Sequence, residues 1–371
     1  MTQTLLTPDI IAKEAALVLE NSMVMANLCH RGYSAEYASK VGATVTIRKP
    51  ATFAASAFST TVAAQEVVES SVQVVLDKFY DVSAEITSQE LSLNIVSFSE
   101  QVLQPMMRAH AQNVDYQIFQ SVYATIAGHN KVTTTTAVIG DLANLMAQLD
   151  IQKAPPTDRR VVLHPTTYAR FAALDAILHA DKSGTPLTIK EYAIGRILGA
   201  DFYMDQNVPT FTSGISDTAG AMSGGAAAGG TAATIAALTN TEVVAAGDIF
   251  KVVGSDKGYL IVTGGTVGST VVTITFTPPF DATIADTAVV TFQASGKTNL
   301  AFHKNAFALV TAPLEPYLGG VNSSVASYKG ISCRVALDGD TSSKKNKISV
   351  DMLFGVKTLD KELAARLVDS G

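Results

Sequence analysis

The residues Ser295-Gly296-Lys297-Thr298 match the second half of a phosphate-binding loop, in which backbone amides and a lysine hold phosphate groups. The complete motif needs a glycine five residues before Gly296, where this chain has Thr291. Bulky and β-type residues follow the motif at the point where a phosphate-binding loop would start a helix. The pattern therefore favours a glycine turn that leaves a β-rich segment over a nucleotide site.

Histidines are the next residues that could do chemistry. They stand at positions 30, 110, 129, 164, 179 and 303, and none forms an HxxxH or HExxH pattern typical of zinc sites. His164 before Pro165 is interpreted as a turn residue, and His303 as a strand residue. We expect no metal site and no cofactor.

Carboxylate pairs and nucleophiles give no stronger signal. Glu66 with Glu69, and Glu85 with Glu90, occupy polar positions of a predicted hairpin, which favours solvated or intersubunit charges over acid–base catalysts. The Gly-x-Ser-x-Gly motif of serine hydrolases is absent from the sequence. We therefore predict no catalytic residue and a protein that is not an enzyme.

Composition indicates a globular chain that contacts neighbours. Of the 371 residues, 47% are hydrophobic and 16% are charged, against a usual charged fraction of about 25%. Such a chain has much surface suited to burial, which favours an oligomer. The net charge of −6 provides no basic field for holding nucleic acid tightly.

Three further features bear on the cellular environment. Cys29 and Cys333 are far apart and lack CxxC spacing, which favours free thiols in a reducing compartment. Charged residues interrupt the N-terminal apolar pattern, so we predict no signal peptide. The charge-free stretch 218–241 is made mostly of small residues, so no membrane span is predicted.

The N-terminal third contains a predicted hairpin. Strand-like alternation over Ala43–Arg48 and Val72–Leu93 flanks a loosely patterned segment, Ala51–Glu69. An isolated hairpin is only marginally stable in water. We therefore expect it to lie on another surface, for which a neighbouring subunit is one option.

Helices are predicted on both sides of this hairpin. Thr7 and Pro8 begin the first helix, which continues to about Leu28. Ser97 and Glu100 indicate the start of a long helix that runs to Ile126, with a kink or restart at Pro105. Its length of about 45 Å would make it a strut of the whole domain.

The rest of the core is predicted to be α+β. Asp141–Asp150 is a helix, Arg160–Leu163 a buried strand, and Tyr168–Leu178 a helix capped by His164-Pro165-Thr166. The final section contains two strands, Ile331–Ala336 and Ile348–Val356, and then a short helix, Lys361–Val368.

A separate β unit interrupts this core. Residues 214–238 are rich in Gly, Ala, Ser and Thr and are interpreted as a flexible linker. Five short strands at roughly ten-residue spacing follow and suggest a small barrel or sandwich inserted between Pro209 and Asn299. They are predicted at Val243–Val244, Ile249–Val253, Tyr259–Val262, Val271–Phe276 and Ala288–Phe292.

Several segments, in this order, resemble the major capsid (coat) proteins of tailed bacteriophages, in the branch that carries an inserted β domain. The segments are Gly42–Pro50, Ser88–Glu100, Leu163–Leu174, Leu198–Pro209, Asn299–Pro313 and Ile348–Leu367. The resemblance implies an α+β fold with an N-terminal arm (1–41), an extended β-hairpin loop (42–87), and a spine helix with peripheral and axial domain parts (88–213). It then implies the linker (214–238), the all-β insertion domain (239–296), and the remaining axial and peripheral core (297–371).

The resemblance also implies a function. Such proteins form pentamers and hexamers that close an icosahedral shell around double-stranded DNA without sequence-specific binding, with a scaffolding protein and a portal as partners. The implied location is the virion capsid, assembled in the bacterial host cytoplasm. No Lys–Asn pair for autocatalytic crosslinking was identified, which favours non-covalent joining. Alternatives are the shell of a related non-viral nanocompartment, a β-rich surface or adhesion protein, and an enzyme of unknown type.

Overall fold

The structure is a computed structural model that describes residues 8–32, 44–49, 66–67, 70–87, 98–131, 138–179, 187–215, 219–255, 257–317, 322–340, 342 and 344–369. The chain divides into two compact units. Unit 1 comprises Met1–Met23, His30–Asn113 and Ala308–Leu359, and unit 2 comprises Val24–Cys29, Val114–Phe307 and Asp360–Gly371.

The described helices and strands have the following bounds. The α-helices are α1 (Pro8–Ser22), α2 (Met25–Leu28), α3 (Gln104–Val122), α4 (Ile139–Ile151), α5 (Pro165–Ala172), α6 (Asp175–Leu178) and α7 (Leu187–Glu191), with a π-helical segment at Ser99–Leu103 and 3-10 turns at Tyr123–Thr125, Lys304–Ala306 and Lys361–Leu363. The strands are β1 (Thr44–Lys49), β2 (Ser70–Val75), β3 (Lys78–Thr87), β4 (His129–Lys131), β5 (Arg159–Leu163), β6 (Arg196–Ile197), β7 (Ala200–Met204), β8 (Thr210–Phe211), β9 (Ala219–Met222), β10 (Ala232–Ala236), β11 (Val243–Val244), β12 (Ile249–Val252), β13 (Tyr259–Thr263), β14 (Gly265–Thr266), β15 (Val272–Thr277), β16 (Val289–Phe292), β17 (Gly296–His303), β18 (Phe307–Ala312), β19 (Asn322–Tyr328), β20 (Ile331–Asp340), β21 (Lys345–Thr358) and β22 (Ala364–Asp369).

Unit 1 is built on a five-stranded sheet in the order β18-β21-β20-β19, with β3 paired to β21. Helix α1 packs on β19 and β20. It does so through Ile11, Ala15 and Leu19, which recur at four-residue steps and are buried. The predicted start at Pro8 is confirmed, whereas the predicted single helix to Leu28 is interrupted after Ser22.

The base of the hairpin has a core within its own unit. Strands β1 and β2 are antiparallel, with Thr44 opposite Val75. Their side chains Val45, Ile47 and Val74 are buried against β18 residues such as Val310. The expectation that the hairpin lies on another surface is met for this described base, and that surface belongs to the same unit. Residues 51–65 lie outside the described residues.

The long helix restarts where proline was expected to disturb it. A π-helical segment, Ser99–Leu103, passes directly into α3, and Pro105 is the second residue of α3. Because proline has no backbone N–H to donate, it is tolerated in the first turn of the new helix. Met106, Val114 and Ile118, which are spaced at multiples of four residues along this helix, are buried. Ser97 lies outside the described residues.

Unit 2 contains a sheet in the order β4-β22-β17-β5-β7-β6, with β8 also paired to β17. Helices α4 and α5 supply buried residues such as Leu145, Leu149 and Phe171 to a core shared with Val161 and Phe202 of the sheet. The predicted strand at Arg160–Leu163 and the predicted helix at Asp141–Asp150 are both present, each with slightly wider bounds.

The inserted β unit is a closed barrel in the order β10-β15-β13-β12-β16-β9, accompanied by the β11–β14 pair. All five predicted strands are present. The flexible linker predicted at 214–238 is wrong, because β9 and β10 are barrel strands. Its small residues serve close packing: a Cβ on Gly220 would come within 2.9 Å of Ile235 Cγ2.

The C-terminal helix predicted at Lys361–Val368 is also wrong. Only Lys361–Leu363 forms a helical turn, and β22 follows as an interior strand between β4 and β17. Every residue of β22 is buried. A strand covered on both faces has a continuous apolar pattern, which periodicity alone does not distinguish from a buried helix segment.

The barrel core gives a first prediction. Phe250 is fully buried, with its ring centroid 5.4 Å from that of Tyr259 and 5.2 Å from that of Phe276. Phe250→Ala should lower the free energy of unfolding of the barrel by about 3–5 kcal/mol, because it removes these contacts and leaves a cavity. Urea titration with hydrogen exchange of barrel peptides measures this loss. Val253→Ala, at a side chain that is 67% exposed, is the control, and equal losses in both variants would contradict the prediction.

Candidate functional site

The phosphate-loop-like residues lie at the junction where the chain enters and leaves the barrel. Strand β8 before the barrel pairs with β17 after it, with Phe211 opposite Gly296 and Thr210 opposite Lys297. Ser295 Oγ accepts a hydrogen bond from the Ser213 backbone N–H at 2.9 Å. Lys297 Nζ donates to Thr210 Oγ1 at 2.8 Å. The residues following Gly296 form a strand, so these side chains fasten the two ends of the insertion together.

A buried polar network lies next to this junction. Asn299, on β17, is fully buried. Its Oδ1 accepts from the His164 backbone N–H at 2.6 Å, and its Nδ2 donates to the Leu367 carbonyl at 3.0 Å. Asp369, 2% exposed, accepts from Thr167 Oγ1 at 2.9 Å and forms an ion pair with Arg170. The network fixes β5, β17 and β22 in one register.

The histidines have local structural partners. His164 caps α5, and its Nδ1 accepts from the Thr166 backbone N–H, while His303 caps a 3-10 turn by accepting from the Asn305 N–H. The predicted turn role of His164 and strand position of His303 are confirmed. His110 is buried in unit 1 and donates through Nε2 to the Val350 carbonyl at 2.7 Å. Burial lowers the pKa of His110. Within the described part of the chain, no three His, Cys, Asp or Glu side chains converge as metal ligands would.

The carboxylates considered as pairs are dispersed. Glu85 forms an exposed ion pair with Lys345 at 3.1 Å, and Glu66 is exposed. Glu69 and Glu90 lie outside the described residues. Cys29 and Cys333 are both buried as thiols and are not joined in a disulfide, as expected, and burial raises the pKa of the Cys333 thiol to about 12.

Unit 1 contains a buried ion pair that the sequence analysis missed. Arg334 Nε donates to Asp351 Oδ2 at 2.9 Å, and its guanidinium lies 3.9 Å from the Tyr317 ring centroid. Tyr317 also donates through its hydroxyl to Asp351 at 3.2 Å. Asp351 is only 2% exposed. An Asp within the apolar strand pattern of ISVDMLF was the available signal, since a buried carboxylate needs a partner.

Unit 2 contains a buried carboxylate at the start of a helix. Asp115, on α3, accepts hydrogen bonds from the backbone N–H groups of Val24 and Ala26 at 2.8 and 2.9 Å. It thereby caps α2 and accounts for the break between α1 and α2. Burial, and then repulsion from Asp205, raise the pKa of Asp115 to about 7 despite these bonds.

These groups fix backbone positions and expose no convergent set of reactive side chains among the described residues. Their polar atoms form hydrogen bonds with strands, helix ends or an arginine, as those of Asn299, Asp351 and Asp115 do. What these groups provide is a fixed arrangement of strands and helix ends within each unit. None of the described helices combines the length and apolar character needed to cross a membrane.

Comparisons with known proteins agree with a structural role. Residues 203–366, under half of the chain, match the family model described as P22 coat protein, gene protein 5. A structure from Mycobacterium phage Che8 is similar at 14% identity and a TM-score of 0.52, covering 93% of this chain and 90% of that one. The capsid structure of the cyanophage P-SCSP1u has 13% identity and a TM-score of 0.49, covering 89% and 84%. The search of curated protein sequences found no match.

The Che8 structure, at its low identity, supports the fold, and the family match adds the coat-protein class. Together they define a structural shell protein with a mixed α and β fold. The resemblance to tailed-bacteriophage coat proteins drawn from the sequence is confirmed by the match over residues 203–366.

The ion pair in unit 1 gives a second prediction. Asp351→Ala should lower the free energy of unfolding by about 3–5 kcal/mol, because it leaves the Arg334 guanidinium buried without its partner. Replacing both residues, as Arg334→Met with Asp351→Leu, should recover most of that loss. Denaturant titration of the single and double variants measures the difference. A double variant as unstable as the single one would contradict this account.

Asp115 gives a pH-dependent prediction. Its folded-state pKa of about 7 lies above the ordinary value of 3.8, so the folded protein favours the protonated carboxyl. The resulting stabilisation is complete below the ordinary pKa and is lost as the pH rises through about 7. Between roughly pH 5 and pH 8 the free energy of unfolding should fall by about 2–3 kcal/mol from this group. The pKa of Asp205 is also raised by burial, so Asp205 adds to the same trend.

Asp115→Asn is the test variant, because the amide keeps an oxygen that accepts an N–H group and cannot ionise. Its stability should depend less on pH than that of the unmodified chain over the same range. Parallel pH curves for the two proteins would show that another group is responsible.

Proposed function

We propose that this chain is the subunit of an icosahedral shell that encloses phage double-stranded DNA. The match of residues 203–366 to the coat-protein model carries the proposal. The fold, with its inserted barrel, supports it. The shell forms from pentamers and hexamers of this chain in the bacterial host cytoplasm, and it becomes the virion capsid.

The regions of the chain take distinct roles in this proposal. Residues 1–41 act as the N-terminal arm, 42–87 as the extended hairpin loop, and 97–126 as the spine helix. The two sheets supply the axial and peripheral parts. The barrel, which includes β9 and β10, is the insertion domain. Because β1 and β2 rest on their own unit, we assign the role of contacting neighbouring subunits to the rest of the loop.

The partners follow from charge and from the coat-protein class. A scaffolding protein and a portal take part in assembly. The DNA is enclosed without sequence-specific contacts, and the net charge of −6 supports this, because a shell need not grip its contents. Subunits join without covalent crosslinks, through interfaces of at least the standard size of about 1,600 Å² in total.

Deletion of residues 51–64 tests the role of the hairpin. The variant should keep the fold and thermal midpoint of the soluble subunit, because the hairpin base packs independently on β18. It should form no closed shells, because the contacts to neighbouring subunits are removed. Circular dichroism, sedimentation and electron microscopy measure both results, with the unmodified chain produced in parallel.

Two outcomes would overturn parts of the proposal. Closed particles formed by the deletion variant would refute the role of the hairpin and leave the shell function intact. An unmodified chain that stays monomeric, with and without a co-expressed scaffolding protein, would refute the shell function itself.

A further inference from the structure

A pocket of about 310 Å³ lies within unit 2 where the barrel meets the rest of that unit. Three lysines line it, each from a different segment. Lys153 follows α4, Lys257 lies between β12 and β13 of the barrel, and Lys361 begins the 3-10 turn before β22. Pro278, of the barrel, and Ala127 add apolar wall. The pocket is therefore concave, partly apolar and surrounded by positive charge.

The lysines are poorly neutralised by the protein. Across the described residues, Lys153 and Lys361 form no ion pair, and both are exposed. Lys257 lies 3.6 Å from Asp281. Glu362 is the only carboxylate among the described lining residues. Like charges that share a small space repel one another, so this grouping favours a bound negative charge.

The backbone at Lys153 adds an independent observation. Lys153 has φ of 61°, in the left-handed region, immediately after the C-terminal end of α4. The Ala154 N–H donates to the Leu149 carbonyl at 2.9 Å, which completes a helix-ending turn that normally uses glycine at this position. Glycine would adopt this backbone conformation with less strain than lysine does. The chain nevertheless has a lysine here, and its cation lines the pocket.

We propose that this pocket binds a small phosphate-class oxyanion that carries at least two negative charges. Lys153 and Lys361 hold it from one wall, and Lys257 holds it from the barrel. Lysine binds phosphate as a flexible point charge, whereas arginine presents a rigid, planar fork of donors. Flexible charges suit an anion in an exposed pocket. The bound anion links the barrel to the rest of unit 2 and restrains their relative movement. This inference does not depend on the proposed shell function.

The size of the pocket suits a compact free anion. The pocket is far smaller than a DNA duplex, whose major groove alone is about 12 Å wide. A compact free anion such as pyrophosphate therefore fits the enclosed volume. A phosphate of a DNA backbone shares the same chemistry, and a competition experiment separates the two.

Calorimetric titration of the full-length protein with pyrophosphate at constant ionic strength tests the site. We expect saturable binding, weakened at least about tenfold in the double variant Lys153→Gly with Lys361→Gln. Lys153→Gly suits the left-handed backbone, so the variant should fold, which the thermal midpoint checks. Lys304→Gln, an exposed lysine of unit 2 outside the pocket, is the control and should bind as the unmodified protein does.

Glu362→Gln provides a second and opposite readout. Removal of this carboxylate should tighten pyrophosphate binding about threefold, an effect that a purely structural role for the lysines would not produce. General stabilisation by phosphate salts, which act by exclusion from protein surfaces, would appear equally in all variants. Equal binding in the control and the lysine variants, or no saturable binding, would overturn the proposal.

A short DNA duplex is the final comparison. Displacement of pyrophosphate by the duplex, lost in the same lysine variants, would assign the bound phosphate to DNA at this site. A duplex that does not compete would leave a free anion as the ligand. Binding of the duplex without any binding of pyrophosphate would overturn a site for a small anion.

Discussion

The β8–β17 pairing is the constraint on which unit 2 depends. Phe211 lies opposite Gly296, and the Thr298 N–H donates to the Pro209 carbonyl at 3.0 Å. The chain therefore leaves the sheet and re-enters it at adjacent positions, with the barrel between them. Because the two ends are held together, the barrel folds around its own aromatic core without disturbing the order of the sheet. Entropy lost on closing a long loop grows only slowly with its length, so an insertion of this size is tolerated.

Much of the architecture could be predicted from the sequence because many of its strands alternate clearly. The five predicted strands between Val243 and Phe292, four of which belong to the barrel, are examples. Two failures share a cause. In β9 and β10, small residues pack closely and resemble a linker. In β22, burial on both faces removes the alternation. Composition and periodicity indicate how exposed a segment is. Whether these two segments form strands depends on their neighbours in the folded chain.

The polar groups that fix the fold were harder to predict. Each joins residues far apart in sequence, as Asp115 does with Val24 and Asn299 does with His164. No local pattern specifies such partners. For Ser295-Gly296-Lys297-Thr298, in contrast, the local sequence was enough to predict the outcome. There the missing glycine at position 291 argued against a nucleotide site, and the structure places the motif in a strand instead of before a helix. Local motifs are thus more informative when their required context is checked.

Arg366 shows why buried charge favours a single shape here. It is fully buried on β22, donates through Nε to the Ile126 carbonyl at 2.8 Å, and lies 5.9 Å from the Phe211 ring centroid. Burial lowers its pKa to about 9. A buried cation adds little net stability, yet it penalises any arrangement in which its partners move away. Phe211 belongs to β8, the strand that precedes the barrel. Moving the junction between β8 and β17 would therefore separate Arg366 from this partner and cost free energy. A subunit that must repeat one shape in every copy of a shell is well served by such a constraint.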